Sequence, residues 1–249
     1  MTHVIDACDP STWPLSLSEA LADINDVALA YELDAPGSSL ADYEWAVDRI
    51  SEALTHLSIR GWHCTNLSTD EIKAIREQGM APLSSDMAVM RVNQQRTRGA
   101  LSSAVAEEVA AKHQAGQPNR NGRTWFCFFP PRKAGQGGIE RLLRYWGGEA
   151  VYWAHLEHCA VSEELRHIGT PAIIEVELPI ASIERTFTDL PIAIIRRHLF
   201  NKGAPIRESL RSEGYTRELI PASRVRAIHV FPSEAFRRLS GCDSWTDPL

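Results

Sequence analysis

The run Thr124-Trp-Phe-Cys-Phe-Phe129, closed by Pro130-Pro131, constrains this chain more than any other feature. One β-branched and four aromatic side chains in six positions favour an extended backbone, and the proline pair, lacking N–H donors, cannot continue a strand ladder. So short a strand needs partners, and the candidates are distant: residues 58–65, 149–154, 172–178, 215–220 and 225–231 also read as strands. In the third, Ile174, Val176 and Leu178 alternate with Glu175 and Glu177 between Pro171 and Pro179, the pattern of a half-buried strand. The last two are joined across Pro221-Ala-Ser.

Helical patterns fill the intervals. Ser16 and Glu19 have capping-box spacing, and Leu21, Ile24, Val27 and Ala28 follow at helical intervals, so a helix is expected over 17–33, broken by Pro36-Gly37. Ser39 and Asp42 can cap a second helix that ends near residue 58. Ser68 and Glu71 form another capping box, opening a helix that Gly79 closes. A long polar helix is expected over 86–112, then a loop over 115–122. Ile139, Leu142, Leu143 and Trp146 fall at i, i+3, i+4 and i+7 between two glycine pairs, and 190–199 is a further helix. The sum is an α+β fold with long connections between strands. We expect a helical N-terminal extension over 1–56, packed on a main domain over 57–249.

Charge divides the chain in a parallel way. Residues 1–58 carry 11 acidic side chains and one basic, Arg49, whereas 91–144 carries ten Lys/Arg against Glu107, Glu108 and Glu140, a local charge of +7 within an overall −6. The basic segment leans toward a nucleic-acid acceptor, through phosphate contacts, and the acidic hairpin either covers that segment or presents a docking face to a regulatory or neutralising protein. No run approaches the roughly 18 uncharged apolar residues of a membrane span, and the start lacks a basic and apolar leader, so a cytoplasmic protein away from membranes is expected. Five scattered cysteines without a CxxC pair point to reduced thiols rather than a disulfide framework. His155-Leu-Glu-His158-Cys159 lacks the second half of a ligand set, so no metal site is expected. There is no GxxxxGK[ST], HExxH or GxSxG, and Gly135-Gln-Gly137-Gly138 lacks the third glycine of a dinucleotide fingerprint.

Three pieces in order carry a resemblance. Gly61-Trp-His63-Cys64-Thr65, followed by Leu67 and a helix ending at Gly79, resembles the first motif of the ADP-ribosyltransferase superfamily, a strand bearing a histidine and a threonine two residues on. Gly147-Gly148-Glu-Ala-Val-Tyr152-Trp153-Ala154 is similar to its glycine-rich strand ending in an aromatic pair and a small residue. Thr216-Arg-Glu218-Leu-Ile and the strand after it look like the element with the catalytic glutamate. Histidine in the first motif resembles the branch of diphtheria-type toxins and poly-ADP-ribose polymerases. Alternatively, Trp125–Phe129 and the helix after it form the second motif, with Phe128 in the aromatic place and Tyr145 or Trp146 stacking on nicotinamide.

The resemblance implies a split β-sheet core with peripheral helices and an NAD-dependent mono-ADP-ribosyltransferase with NAD as substrate. Such an enzyme would be a toxin, effector or defence protein acting on a macromolecule, nucleic acid or protein. His63 would then hydrogen-bond the adenosine ribose, main-chain groups of Cys64 and Thr65 would hold the nicotinamide amide, and Tyr152 with Trp153 would support the nicotinamide face. Glu218 would stabilise positive charge on the ribose as the glycosidic bond breaks, and Arg132 or Arg144 would meet the pyrophosphate. Two other functions are consistent with these residues: RNA 2′-phosphotransfer using Arg132, Arg141 or Arg144, and a non-catalytic binding module.

Overall fold

A computed structural model describes residues 2–185, 189–206 and 212–249. The fold is α+β, built on one open sheet. Its strands are β1 (Val4–Ile5), β2 (Ser58–Leu67), β3 (Thr124–Cys127), β4 (Thr170–Pro179), β5 (Glu184–Arg185), β6 (Glu213–Thr216) and β7 (Val225–Val230), in the order β5-β6-β3-β2-β4-β7, with β1 beside the start of β2. All pairings are antiparallel except β1 with β2.

Pairing is uneven, and that shapes the molecule. β2 and β4 pair along their full length, from Ser58 opposite Pro179 to Leu67 opposite Thr170. On its other edge β2 meets β1 at Ser58 and Ile59, and β3 through Trp62 opposite Cys127 alone. One pair therefore joins β3, β6 and β5 to the rest, and beyond it the backbones of β2 and β3 are unpaired, the His63 side chain bridging to the Trp125 carbonyl. Gly61 permits this junction, because a Cβ there would come within 3.3 Å of both Leu178 and Phe126.

The helices cover the sheet in three groups. Helices α1 (Leu15–Asp23), α2 (Asn25–Glu32) and α3 (Leu40–Leu54) pack with α10 (Leu190–Asn201) on one face, where Leu17, Leu21, Ile50, Leu54, Ile194 and Ile195 join Ile59, Phe126, Phe128 and Val176 in one apolar cluster. Each such fully buried side chain contributes about 1.5–3 kcal/mol. On the other face α7 (Gln136–Arg144) and α11 (Glu234–Ser240) cover Trp62, Cys64 and Ile173. A separate helical cluster joins α5 (Ser85–Thr97), α6 (Ser103–Lys112), α8 (Glu149–Tyr152) and α9 (Cys159–His167), while α4 (Thr69–Gln78) follows β2 directly. Among the described residues no helix is long and apolar enough to cross a membrane.

Local signals were read well where the chain signals itself. The Ser68–Glu71 capping box forms in both directions, and Gly79 ends α4 at a φ of +85°. Ser39 caps α3 by accepting from the Asp42 N–H. Four expectations are corrected. The first helix starts at Leu15 behind Pro14, with Ser16 already inside it, and breaks at Ile24. The long polar helix divides at Gly99, whose φ of +74° ends α5. Residues 149–154 are helical rather than extended, because the positive φ of Gly147 and Gly148 turns the chain and the helix then buries Val151 and Tyr152 in the helical cluster. Finally, β6 and β7 are no pair of partners: they lie toward opposite edges, with β3, β2 and β4 between them.

Among the described residues no ion pair joins the acidic N-terminal segment to the basic one: Asp6 pairs with Arg60 and Glu32 with Arg196, and the segment's apolar residues share the main cluster with the sheet. Packing decided this, since the apolar stripe of α1 and α3 had to be buried against the nearest uncovered sheet face.

Candidate active site

His63 stands where the sheet divides. Its Nδ1 lies 2.8 Å from the Trp125 carbonyl oxygen on β3, just past the Trp62–Cys127 pair. A carbonyl only accepts, so Nδ1 carries the proton and Nε2 remains an acceptor, with no hydrogen bond to another described residue. Burial pushes the imidazole pKa down and Arg91 pushes it further, outweighing the Trp125 bond, so the ring is neutral at pH 7.

Next to it runs a row across three strands. Trp62 is opposite Cys127, and Cys127 is opposite Glu213, so these side chains share one sheet face with Cys64, two residues along β2. Burial raises the Cys64 thiol pKa well above its ordinary value, with Cys127 and Glu213 adding to the effect. Burial and Glu213 push Cys127 up to about 12. The carboxylate of Glu213 is thus close enough to be felt by both thiols. Glu213 also lines a small recess together with Cys127, Phe129, Pro131 and Ala134. Trp125 lies further along the same face, its ring 4.8 Å from that of Tyr215.

A second group contains Arg91, whose charge His63 feels. The Glu71 carboxylate accepts from the Ser68 N–H (2.8 Å), from Trp146 Nε1 (2.9 Å) and from Arg91 Nε (2.6 Å), and the Arg91 guanidinium lies 4.9 Å from the Trp146 ring centre. Burial alone would raise the Glu71 pKa, but Arg91 and these bonds hold it below the usual carboxylate range. Asn66 ties the end of β2 to α7 by donating to the carbonyls of Leu143 and Arg144.

No family model, curated protein or solved structure matches this chain. The site is therefore judged on its own geometry.

That geometry redistributes the residues expected from the sequence. His63, Cys64 and Thr65 lie on β2 just past its one pair with β3, with Cys64 and Thr65 buried. Tyr152 is buried in the helical cluster, its ring 5.4 Å from Tyr145, and Tyr145 in turn accepts from Arg166 (2.6 Å). Trp153 is 49% exposed beneath Arg141. Phe128 is fully buried in the main core, so it offers no face to a ligand. Trp146 is likewise fully buried and spends its N–H on Glu71. Arg144 is held by Glu140 and the Asp247 carbonyl. Glu218 lies beyond the end of β6, exposed, with its own N–H on Thr216 Oγ1, and no described contact joins it to His63. The carboxylate in the row with Trp62 and Cys127 is Glu213, at the start of the strand.

One sequence signal could have found Glu213: it begins the alternation Glu213, Tyr215 on one face of β6, two residues before the expected strand 215–220. Leu219 and Ile220 drew the expected strand too far along, although Leu219 is 59% exposed and Ile220 only bridges to Met80. Nor does the basic segment present ten free charges. Arg91, Arg98, Lys112, Arg120 and Arg144 are ion-paired with Glu71, Asp70, Glu108, Glu149 and Glu140. Arg132 donates to the Arg238 carbonyl.

Proposed function

We propose that the protein is an NAD-dependent mono-ADP-ribosyltransferase with an ADP-ribosyltransferase-like split sheet, its dinucleotide site lying at β2 and β3 beside their one pair. The observations that support this reading are His63, on β2 where a single residue pair joins the two halves of the sheet, and the carboxylate of Glu213 in the row that this pair begins. The residues suit the substrate. His63 Nε2 accepts a hydrogen bond from a ribose hydroxyl, as a neutral imidazole with its proton fixed on Nδ1 can. Main-chain groups of Cys64 and Thr65 hold the nicotinamide amide, and Trp125, in place of Tyr152, supplies the aromatic wall. Glu213, in place of Glu218, faces the ribose carbon from which nicotinamide departs with the bonding electrons. Its negative charge stabilises the oxocarbenium-like centre, and the acceptor closes the reaction by bonding to that carbon and losing a proton.

The acceptor is a macromolecule, nucleic acid or protein. RNA 2′-phosphotransfer gains less support, because Arg132 and Arg144, two of the arginines it would use, are already hydrogen-bonded within the protein. The deciding experiment incubates the protein with isotopically labelled NAD and separate lysate pools of protein, RNA and DNA. Label should enter one pool with the native chain and not with Glu213→Gln. Failure of the native chain to bind NAD or to label any pool would overturn the assignment.

A further inference from the structure

The end of β3 and β6 carries two arginines that the dinucleotide site does not use. Thr124 and Thr216 form the last pair between these strands, so Arg123 and Arg217 stand opposite each other one position further on, on the face that bears Trp125 and Tyr215. Both guanidinium groups lie over the Tyr215 ring, 4.2 and 5.4 Å from its centre, so the two charges are no farther apart than the sum of those distances. Like charges at opposed positions repel. Glu184 is the one described carboxylate that pairs with either. It accepts from Arg217 Nε (2.9 Å) and from the Tyr215 hydroxyl (2.7 Å), which leaves the arginine pair with an excess of positive charge.

Arg123 differs from the paired cations of the basic segment. Its side chain makes no hydrogen bond or ion pair with a described residue, and its Nε is buried without an acceptor. The loop before it is fixed: Gly122, at a φ of +69°, donates its N–H to the Leu83 carbonyl (2.7 Å), and the Arg123 N–H donates to the Arg120 carbonyl (3.2 Å). A guanidinium held on an aromatic ring keeps its outer N–H groups for a phosphate and offers its own plane to a base.

We propose that Arg123 and Arg217, held on Tyr215, form a phosphate-binding subsite for a nucleic-acid strand, the acceptor of the ADP-ribose. The role as acceptor rests on the transferase reading; the binding of the strand does not. Nucleic acid is favoured over protein because the cluster joins two guanidinium groups, incompletely neutralised, to flat groups, which suits a chain of phosphates and bases. The Trp125 ring lies 4.8 Å from the same Tyr215 ring, and its carbonyl holds His63, so a strand seated on the arginines lies next to the residues assigned to NAD.

The test is fluorescence anisotropy of the full chain with short labelled single-stranded RNA and single-stranded DNA of mixed sequence over a series of salt concentrations. The native protein is compared with Arg123→Gln, Arg217→Gln and the double variant. Each single variant should weaken binding by roughly tenfold and the double by up to about a hundredfold, and the slope of log affinity against log salt should shrink by about 0.7 for each arginine lost. Lost packing does not change that slope in proportion to the charges removed. Arg123→Lys keeps the charge but not the stacked fork, so it should bind more weakly at the native slope, and it carries the test if Arg123→Gln does not fold. Lys112→Gln removes an exposed cation paired with Glu108 and should bind as the native chain does. The strand bound more tightly identifies the acceptor. Equal affinity and slope in the native chain and a folded double variant overturns the subsite and leaves the NAD reading intact, as does a native chain that binds neither strand. Label from NAD that enters the protein pool alone overturns the strand's role as acceptor. Strand binding that depends on both arginines, without binding of NAD, supports the subsite and overturns the NAD reading.

Discussion

Replacing Glu213 by glutamine removes one negative charge while keeping shape, so its effects isolate what the carboxylate does at the site. On the catalytic side, loss of a group aimed at developing charge costs on the order of a hundredfold to a thousandfold in turnover, about 2.7–4 kcal/mol. On the structural side, Glu213 helps hold the Cys127 thiol at about 12, yet burial is the larger cause. The variant thiol should therefore titrate lower than in the native chain while staying above its ordinary value of 9.0. Each unit of that fall raises the thiolate fraction at mildly alkaline pH by about tenfold, and alkylation reads thiolate. The assay pairs NAD turnover with iodoacetamide labelling of Cys127 followed by peptide mass spectrometry across pH 7–10, the labelling serving as a readout of geometry independent of activity. Glu218→Gln is the control: its side chain is exposed, beyond the strand, and should leave both measurements at native values. Native turnover in Glu213→Gln, or a collapse of turnover in Glu218→Gln, refutes the assignment. Unchanged Cys127 labelling in Glu213→Gln would show that the carboxylate does not stand beside the thiol.

Three further substitutions probe the frame around the site. Phe128→Ala empties a fully buried position and should cost about 3–5 kcal/mol in urea unfolding; a loss below about 1 kcal/mol would contradict its place in the core. Gly79→Ala would bring a Cβ to 1.9 Å from the Ile220 carbonyl oxygen at a φ of +85°, so destabilisation beyond about 1 kcal/mol is expected, and a neutral outcome would mean that α4 does not close on the β6–β7 connection as described. His198 is pushed down to about 4 from 6.5, first by burial and then by Lys202. A depressed pKa gives stability that is present above pH 6.5 and lost as pH falls toward 4, amounting to about 2 kcal/mol by pH 5. Urea unfolding at pH 7.5 and pH 5 should show a smaller acid loss in His198→Leu than in the native chain, and parallel losses would refute the shift.

Much of the frame was legible in the sequence because its causes are local. Alternation in 172–178, the Ser68–Glu71 capping box and the apolar spacing from Ile139 each act over a few residues, and the corresponding strand and helices formed. Residues 149–154 misled because Ala-Val-Tyr-Trp has strand-like composition, while the two preceding glycines and the helical cluster that receives Val151 and Tyr152 imposed a helix. Composition could not weigh those distant contacts against local preference.

By itself, then, the sequence determined the α+β class, the position of β2 with His63, Cys64 and Thr65, and the helix that Gly79 ends. Only the tertiary structure decided which carboxylate stands beside Cys127, because Glu213 reaches it through strand pairing between segments 86 residues apart in number and Glu218 does not. It also decided the fate of the arginines: Arg144 closed onto Glu140 one helical turn away, while Arg91 was drawn to Glu71 and Trp146, distant along the chain. The physical reason is common to both. Local signals fix backbone conformation over a few residues, but a site is made where remote strands meet, and register and packing alone choose the side chains that share a face.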